Sequence, residues 1–534
     1  MNIEQLLREK TASALFELYH HQVSNDQIAV NIPPHDFPYD FTIVAFPFSR
    51  IAKKSPEQTT NEIGRALITL ISELESFDAV KGFLNLRFKD EFWIEFLQKT
   101  KDNNSFGEFP STGKKVLIEY CGPNTNKPLH LGHLRNIFIG FSISNILKAA
   151  GNNIIKANIY NDRGVHICKS MLAYQKYGNH ETPESSGEKG DHLVGEYYVR
   201  FEQELKMQMN KLMNEGLPEE EARKQAPLNQ EISEMLLKWE DGDIEVRNLW
   251  NTLNHWVYQG FEETYLKIGN DFDKAYMESD TYLRGKSIVE EGLNKGIFFK
   301  KTDGSVWVDL TDEGLAEKLL IRADGTSVYI TQDLGTADMR YEDYHPHGMI
   351  YTVANEQDHH FKVLKIVCKK LNRPYAEGIH HLSYGLVYLP SGRMKTREGT
   401  VVDADELIDE MDEAAAKKTS ELGKIENFSE QDLLKLHHTL GMGALKFFIL
   451  KVDPKKKMLF NPEESIDFQG FTGPFIQYTY ARICSVLRKG AEKKEGDKNV
   501  PPRRDRLESK ERAVLMQVYH YPSTILEAAS KYEP

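Results

Sequence analysis

Val116-Leu117-Ile118-Glu119-Tyr120-Cys121-Gly122-Pro123-Asn124-Thr125-Asn126-Lys127-Pro128-Leu129-His130-Leu131-Gly132-His133-Leu134-Arg135-Asn136 passes from a short apolar run, through a loop rich in Gly, Pro and Asn, into helical periodicity. Val116 to Tyr120 predicts a strand, and the spacing from Gly132 to Ala149 predicts a helix. Ile154 to Tyr160 predicts the next strand. This βαβ order implies a parallel sheet with a right-handed crossover. The helix start between the two strands has the chemistry of a phosphate site. Its unpaired backbone N–H groups and positive dipole end favour anions. Gly132 lets a ligand lie close to the backbone, and His130 and His133 can donate hydrogen bonds to phosphate oxygens as charge shifts in a transition state.

Working outward, residues 1–108 predict a small α/β domain. Glu4 to Tyr19 and Thr60 to Leu74 read as helices, and Phe41 to Phe46 and Phe83 to Phe88 as strands. The polar run Lys101 to Lys115 reads as a linker. Downstream, residues from about 180 to 300 are charged and helical in pattern, and they interrupt the βα alternation as an insertion. The alternation resumes with Val328 to Thr331 and Gly348 to Val353, both read as strands. From 403 onward every long segment reads as helix. The expected organisation is therefore α/β multidomain, with an N-terminal domain at 1–108, a nucleotide-binding domain at 109–402 and an all-helical domain at 403–534.

The 534 residues are 40% hydrophobic and 28% charged, a soluble globular balance. No signal peptide opens the sequence, and no apolar run approaches the roughly 20 residues of a membrane span. Cys121, Cys168, Cys368 and Cys484 form no C-x-x-C pair, which argues against a zinc knuckle or a disulfide framework and fits a reducing cytoplasm. The net charge of −13 does not advertise nucleic-acid binding. Such binding would need local basic clusters such as Lys455-Lys456-Lys457, Arg488-Lys489 and Arg503-Arg504.

The run from Glu119 to Asn136 resembles the HIGH signature of class I aminoacyl-tRNA synthetases, in its arginyl form. Arg393-Met394-Lys395-Thr396-Arg397-Glu398-Gly399-Thr400 resembles the second signature, the KMSKS loop. Thr396 stands where that loop has its second lysine. The resemblance implies that Lys127, just before the HIGH box, takes over the phosphate role, with Lys395 and Arg397 as alternatives. It further implies an ATP site at Lys127, His130, Gly132, His133, Met394, Lys395, Thr396 and Gly399. The fold implied is a Rossmann-type parallel-sheet catalytic domain with a helical insertion, flanked by an additional N-terminal domain and a helical anticodon-binding domain. The activity implied joins L-arginine to arginine tRNA through an arginyl-adenylate, with ATP and Mg2+ as co-substrate and no structural metal. A cytoplasmic monomer without membrane attachment is expected.

Arginine's guanidinium is planar, always charged and matched to carboxylates by a two-bond fork, so a selective pocket needs acidic groups at the strand ends. Glu119 and Asp333 are the candidates. The resemblance implies that Tyr329 and Asp333 hold the side chain, while Asn124 and Gln357 position the α-groups. For tRNA it implies Phe83 and Asn85 in the N-terminal domain, with Phe83 equally readable as core. In the helical tail, Arg482 is expected to face RNA and Tyr480 to pack between helices. The sequence stops at Ser530-Lys531-Tyr532-Glu533-Pro534, where the family has further helices, so a truncated tail with exposed apolar surface is expected. Three other readings compete. A binding-only relative would have no need of an intact HIGH box. A class I synthetase for glutamine, glutamate or cysteine is poorly served by two carboxylates, and one for lysine, electrostatically possible, is not supported by the resemblance at the loop and helical tail. A small nucleotidylyltransferase has no use for the helical tail.

Overall fold

The computed structural model describes residues 3–33, 37–389, 392–393, 402–422, 428–461, 467, 470–494 and 506–534. It divides into two compact units. The first comprises Met1–Glu108 and Glu492–Glu527. Strands β1 (Val30–Asn31), β2 (Phe41–Val44), β3 (Leu74–Val80) and β4 (Phe83–Phe88) form an antiparallel sheet in the order β1-β2-β4-β3. Leu84, Leu86 and Phe88 alternate into a core that they share with Ile3, Leu7 and Leu15 of helix Ile3–Tyr19 and Ile63 and Leu67 of helix Pro56–Leu70. Leu515 joins the same core. Arg512 is buried beside it, donating to Asp40 at 2.9 Å and to the carbonyl of Phe88 at 3.0 Å.

The second unit comprises Phe109–Ala491 and Ala528–Pro534. Its centre is a parallel sheet of β5 (Lys115–Glu119), β6 (Asn153–Tyr160), β7 (Lys274–Met277), β11 (Gly348–Ala354) and β12 (Ile379–Tyr384), in the order β12-β11-β5-β6-β7. The strands β8 (Phe298–Lys300), β9 (Val306–Val308) and β10 (Lys318–Ile321) make a separate small antiparallel sheet. β13 (Val387–Leu389), β14 (Gly392–Arg393) and β15 (Met458–Leu459) make another. The chain starts the main sheet at β5, grows it one way through β6 and β7, then returns to add β11 and β12 on the other side. That reversal at β5 opens a crevice beyond the strands' C-terminal ends, where ligands bind in open α/β sheets.

Two expectations are corrected. Val328 to Thr331 is not a strand: a helix runs Tyr329–Tyr344, and the Thr331 hydroxyl in its first turn donates to the Leu320 carbonyl at 2.6 Å. Four strand-favouring residues are too few to outvote tertiary packing. The span 180–300 is indeed rich in helices, including Gly190–Asn214 and Ile244–Ile268, but it also contains β7, an edge strand of the main sheet. Its four residues show too little alternation to be read from sequence. Among the described residues, no helix is long and apolar enough to cross a membrane.

Candidate active site

The helix Leu131–Ala149 starts at the C-terminal end of β5 with His130 as its N-cap. The N–H of Gly132 donates to His130 Nδ1 at 3.1 Å, and the N–H of His130 donates to His133 Nδ1 at 3.1 Å. The rings stack with centroids 3.8 Å apart. A nitrogen that accepts a backbone N–H carries no proton, so both imidazoles hold their proton on Nε2. Burial holds His130 down to about 3 and His133 far below the ordinary histidine range, with Lys127 adding to both. The pair is therefore neutral at physiological pH, presenting two Nε2–H donors. A Cβ at position 132 would meet the His130 ring at 2.9 Å. Glycine is therefore also needed there to seat the cap.

A cavity of about 960 Å³ lies beyond the strand ends. Glu119, Asn124, His130, Gly132, His133, Tyr329, Asp333 and Gln357 all line it. Asn124 follows β5 and bridges to Asn161. Tyr329 is 75% exposed at the start of its helix. Asp333, one turn on, is paired with His360 Nε2 at 2.5 Å. Gln357 closes the short turn after β11. Glu119 keeps its place in the wall but not as a free fork, because the wholly buried Arg340 already pairs with its Oε2. Burial nonetheless raises the Glu119 carboxyl above its ordinary value.

Glu278 was not foreseen. It opens the helix after β7, lines the cavity and accepts from Gln332 Nε2 at 2.8 Å. Burial lifts it to about 7, with Asp162 and Asp333 adding to the rise against Arg163. Asp162, in the loop after β6, fixes that helix start by accepting from the Ser279 N–H at 2.8 Å and hydroxyl at 2.7 Å. The only signal in the sequence was a glutamate following the short β7.

Lys127 lines a second cavity, of about 640 Å³, which shares His130 with the first. Burial lowers its pKa. Asp403 bridges to His130, and the Leu131 N–H donates to the Val402 carbonyl at 3.1 Å, so the HIGH turn is tied to the segment that follows the KMSKS-like loop. Met394, Lys395, Thr396, Arg397 and Gly399 lie outside the described residues, as do Arg503 and Arg504. Asp191, His192 and Asp405 are spaced as metal ligands could be. However, Asp405 already holds Lys189 at 2.6 Å and Lys267 at 3.1 Å. Two ammonium groups supply the positive charge that a metal would bring; against its burial, the hydrogen bond from His192 and these two lysines hold Asp405 well below the usual carboxylate range.

Of the residues expected to meet tRNA, Phe83 is 42% exposed, so the core reading fails. Asn85 is buried, its Oδ1 accepting from the Thr42 hydroxyl at 2.8 Å across the strand pair, and its edge is not offered to a base. Arg482 is exposed on helix Gly473–Lys494. Tyr480 on the same helix is 71% exposed, not packed, and Ile483, Val486 and Leu487 are exposed beside it.

Residues 97–461 match the family model described as tRNA synthetases class I (R), catalytic domain, and residues 476–534 match the DALR anticodon binding domain. The chain belongs to the arginyl-tRNA synthetase family. It is 52% identical to an arginine–tRNA ligase of Amoebophilus asiaticus and 51% identical to one of Bacteroides thetaiotaomicron. In each case the match covers all of this chain and 90% of the relative. Among solved structures, the arginyl-tRNA synthetase of Thermus thermophilus superposes over the whole chain and 88% of its own, with a TM-score of 0.76 and 25% identity. The arginyl-tRNA synthetase fold thus accounts for both the reversal of strand order at β5 and the helical tail.

Proposed function

We propose that the 960 Å³ cavity is where arginine is activated, with the neutral histidine pair at its nucleotide end and Asp333 and Glu278 at its amino-acid end. As a member of its family the chain is an arginine–tRNA ligase, joining arginine to tRNA at the expense of ATP. The observation that carries the site reading is that a single cavity wall holds both Nε2–H donors and a group of carboxylates.

In the first step an oxygen of arginine's carboxylate attacks the α-phosphorus of ATP in line. The bond from that phosphorus to the bridging oxygen breaks, and pyrophosphate leaves with the electron pair. His130 and His133 donate through Nε2–H to phosphate oxygens, where fixed donors in a dry site stabilise developing charge without reorganising. Lys127 attracts the pyrophosphate end together with Lys395 and Arg397, and Mg2+ accompanies ATP on the phosphate oxygens. Asp333, Glu278 and Tyr329 receive the guanidinium end, with Glu119 behind them neutralised by Arg340. Asn124 and Gln357 orient the α-groups. In the second step a hydroxyl of the tRNA 3′-terminal ribose attacks the adenylate carbonyl and AMP leaves. Exposed Phe83 and Arg482 are the proposed RNA contacts. We also propose a monomer, to be checked by light scattering, in the cytoplasm, where its unpaired thiols fit a reducing medium.

The test is ATP–pyrophosphate exchange with each of the twenty amino acids, with and without total tRNA. Exchange confined to arginine is expected. Exchange driven by another amino acid would overturn the assignment of the carboxylates.

A further inference from the structure

Asn136 lies in the second turn of the helix that begins at His130, and its buried side chain ties three strands of the main sheet together. Oδ1 accepts from the Cys121 N–H at 2.7 Å. Nδ2 donates to the Thr352 carbonyl at 2.7 Å and to the Tyr384 hydroxyl oxygen at 3.1 Å. Cys121 lies just beyond β5, Thr352 is in β11, and Tyr384 ends β12. Two of these strand ends lead directly into the arginine side of the cavity, β5 to Glu119 and Asn124, and β11 to Gln357. Cys121 has φ +60°, a left-handed conformation that a non-glycine residue holds only when its surroundings impose it. The bond from Asn136 is one such constraint.

We propose that Asn136 is the positioning residue that sets the distance between the nucleotide-binding histidines and the arginine-binding strand ends. It stands one turn after His133 on the same helix, so a single side chain links the turn that holds ATP to the strand ends that hold the amino acid. The chemistry requires an amide. One acceptor and two donor bonds are made at once, which a carboxylate or a hydroxyl cannot supply. Aspartate would set a second acceptor against the Thr352 carbonyl, and serine retains one donor at most. Nucleophile and phosphorus react only from a near-attack geometry, and a misplacement of about 1 Å can cost roughly 100-fold in rate.

The proposal rests on reading this cavity as the arginine site. The experiment uses the full chain with tRNA, measuring arginine-dependent exchange and single-turnover adenylate formation for Asn136→Ser, Asn136→Asp and Tyr384→Phe, with thermal melts of each. The Asn136 variants are expected to lower kcat about tenfold or more, with KM for ATP and arginine within about threefold of the parent. Tyr384→Phe is expected to lower kcat severalfold with an unchanged melt, and the double variant Asn136→Ser with Tyr384→Phe to fall no further than Asn136→Ser alone. A kcat equal to the parent's in a folded Asn136 variant, or a change confined to KM, overturns the proposal. Should the Asn136 variants not fold, Tyr384→Phe decides: parental kcat overturns the proposal and reduced kcat supports it. Asp333→Asn, measured alongside, reports on the arginine site through KM, so the two readings fail separately.

Discussion

At the scale of single residues, the two acidic side chains of the cavity make separate predictions. Asp333→Asn removes a carboxylate that would pair a desolvated guanidinium, a loss of about 3–5 kcal/mol. The arginine KM should rise roughly 10²–10⁴-fold, while a loss below tenfold in steady-state kinetics would place the guanidinium elsewhere. Glu278 predicts a pH dependence. Its folded pKa, about 7, is above the ordinary 4.5, so its ionisation opposes folding as pH rises through 7. A bound guanidinium favours the ionised form, so the arginine KM should fall between pH 6 and 8, and Glu278→Gln should flatten that profile. Legibility at this scale was uneven. That the histidines, Tyr329, Asp333 and Gln357 would line one cavity was readable because motif positions map onto the ends of strands and helices. Glu119's partner Arg340 was not, because it comes from a distant helix, and nothing local distinguishes it from a solvated arginine. Asn85 misled for a related reason: an amide on an alternating strand gives no sign that Thr42 lies opposite it.

At the scale of elements, the helix carrying Tyr329 and Asp333 packs against the helix Glu278–Asn294 through facing glycines. A Cβ on Gly285 would meet the Thr331 carbonyl oxygen at 2.1 Å, and one on Gly335 would meet the Thr281 carbonyl oxygen at 2.4 Å. The backbones of the two helices that bear the cavity's acidic groups therefore touch. Gly285→Ala must push them apart. It should destabilise the second unit by about 1–3 kcal/mol in urea titrations and raise the arginine KM, although it touches no substrate. An unchanged KM would mean that the spacing of these helices does not set the pocket. Long apolar elements, such as β11 and the helix Leu131–Ala149, were legible because a sustained run of apolar residues marks a buried element whatever packs against it. β7 was not, since an edge strand of four residues owes its conformation to its neighbour.

At the scale of the whole molecule, the division into units follows contacts that no periodicity reveals. The sequence reading assigned the tail from 403 to one helical domain, yet Glu492–Glu527 clusters with the N-terminal residues. Arg512, buried with Asp40, is the main polar tie within that unit. Arg512→Met should leave Asp40 uncompensated and cost about 3–5 kcal/mol, whereas adding Asp40→Asn should recover most of it. A chemical denaturation curve unchanged by Arg512→Met would show that the Arg512–Asp40 pair contributes nothing to that unit's stability. The four thiols carry a practical consequence. Cys121, Cys168 and Cys368 are buried and pushed up to about 12, so they present almost no thiolate, while Cys484 is only half-buried, in the DALR region. A maleimide dye added to the native protein should stop at one label per chain. The unmodified sequence thus comes with a built-in attachment point for following tRNA engagement by fluorescence.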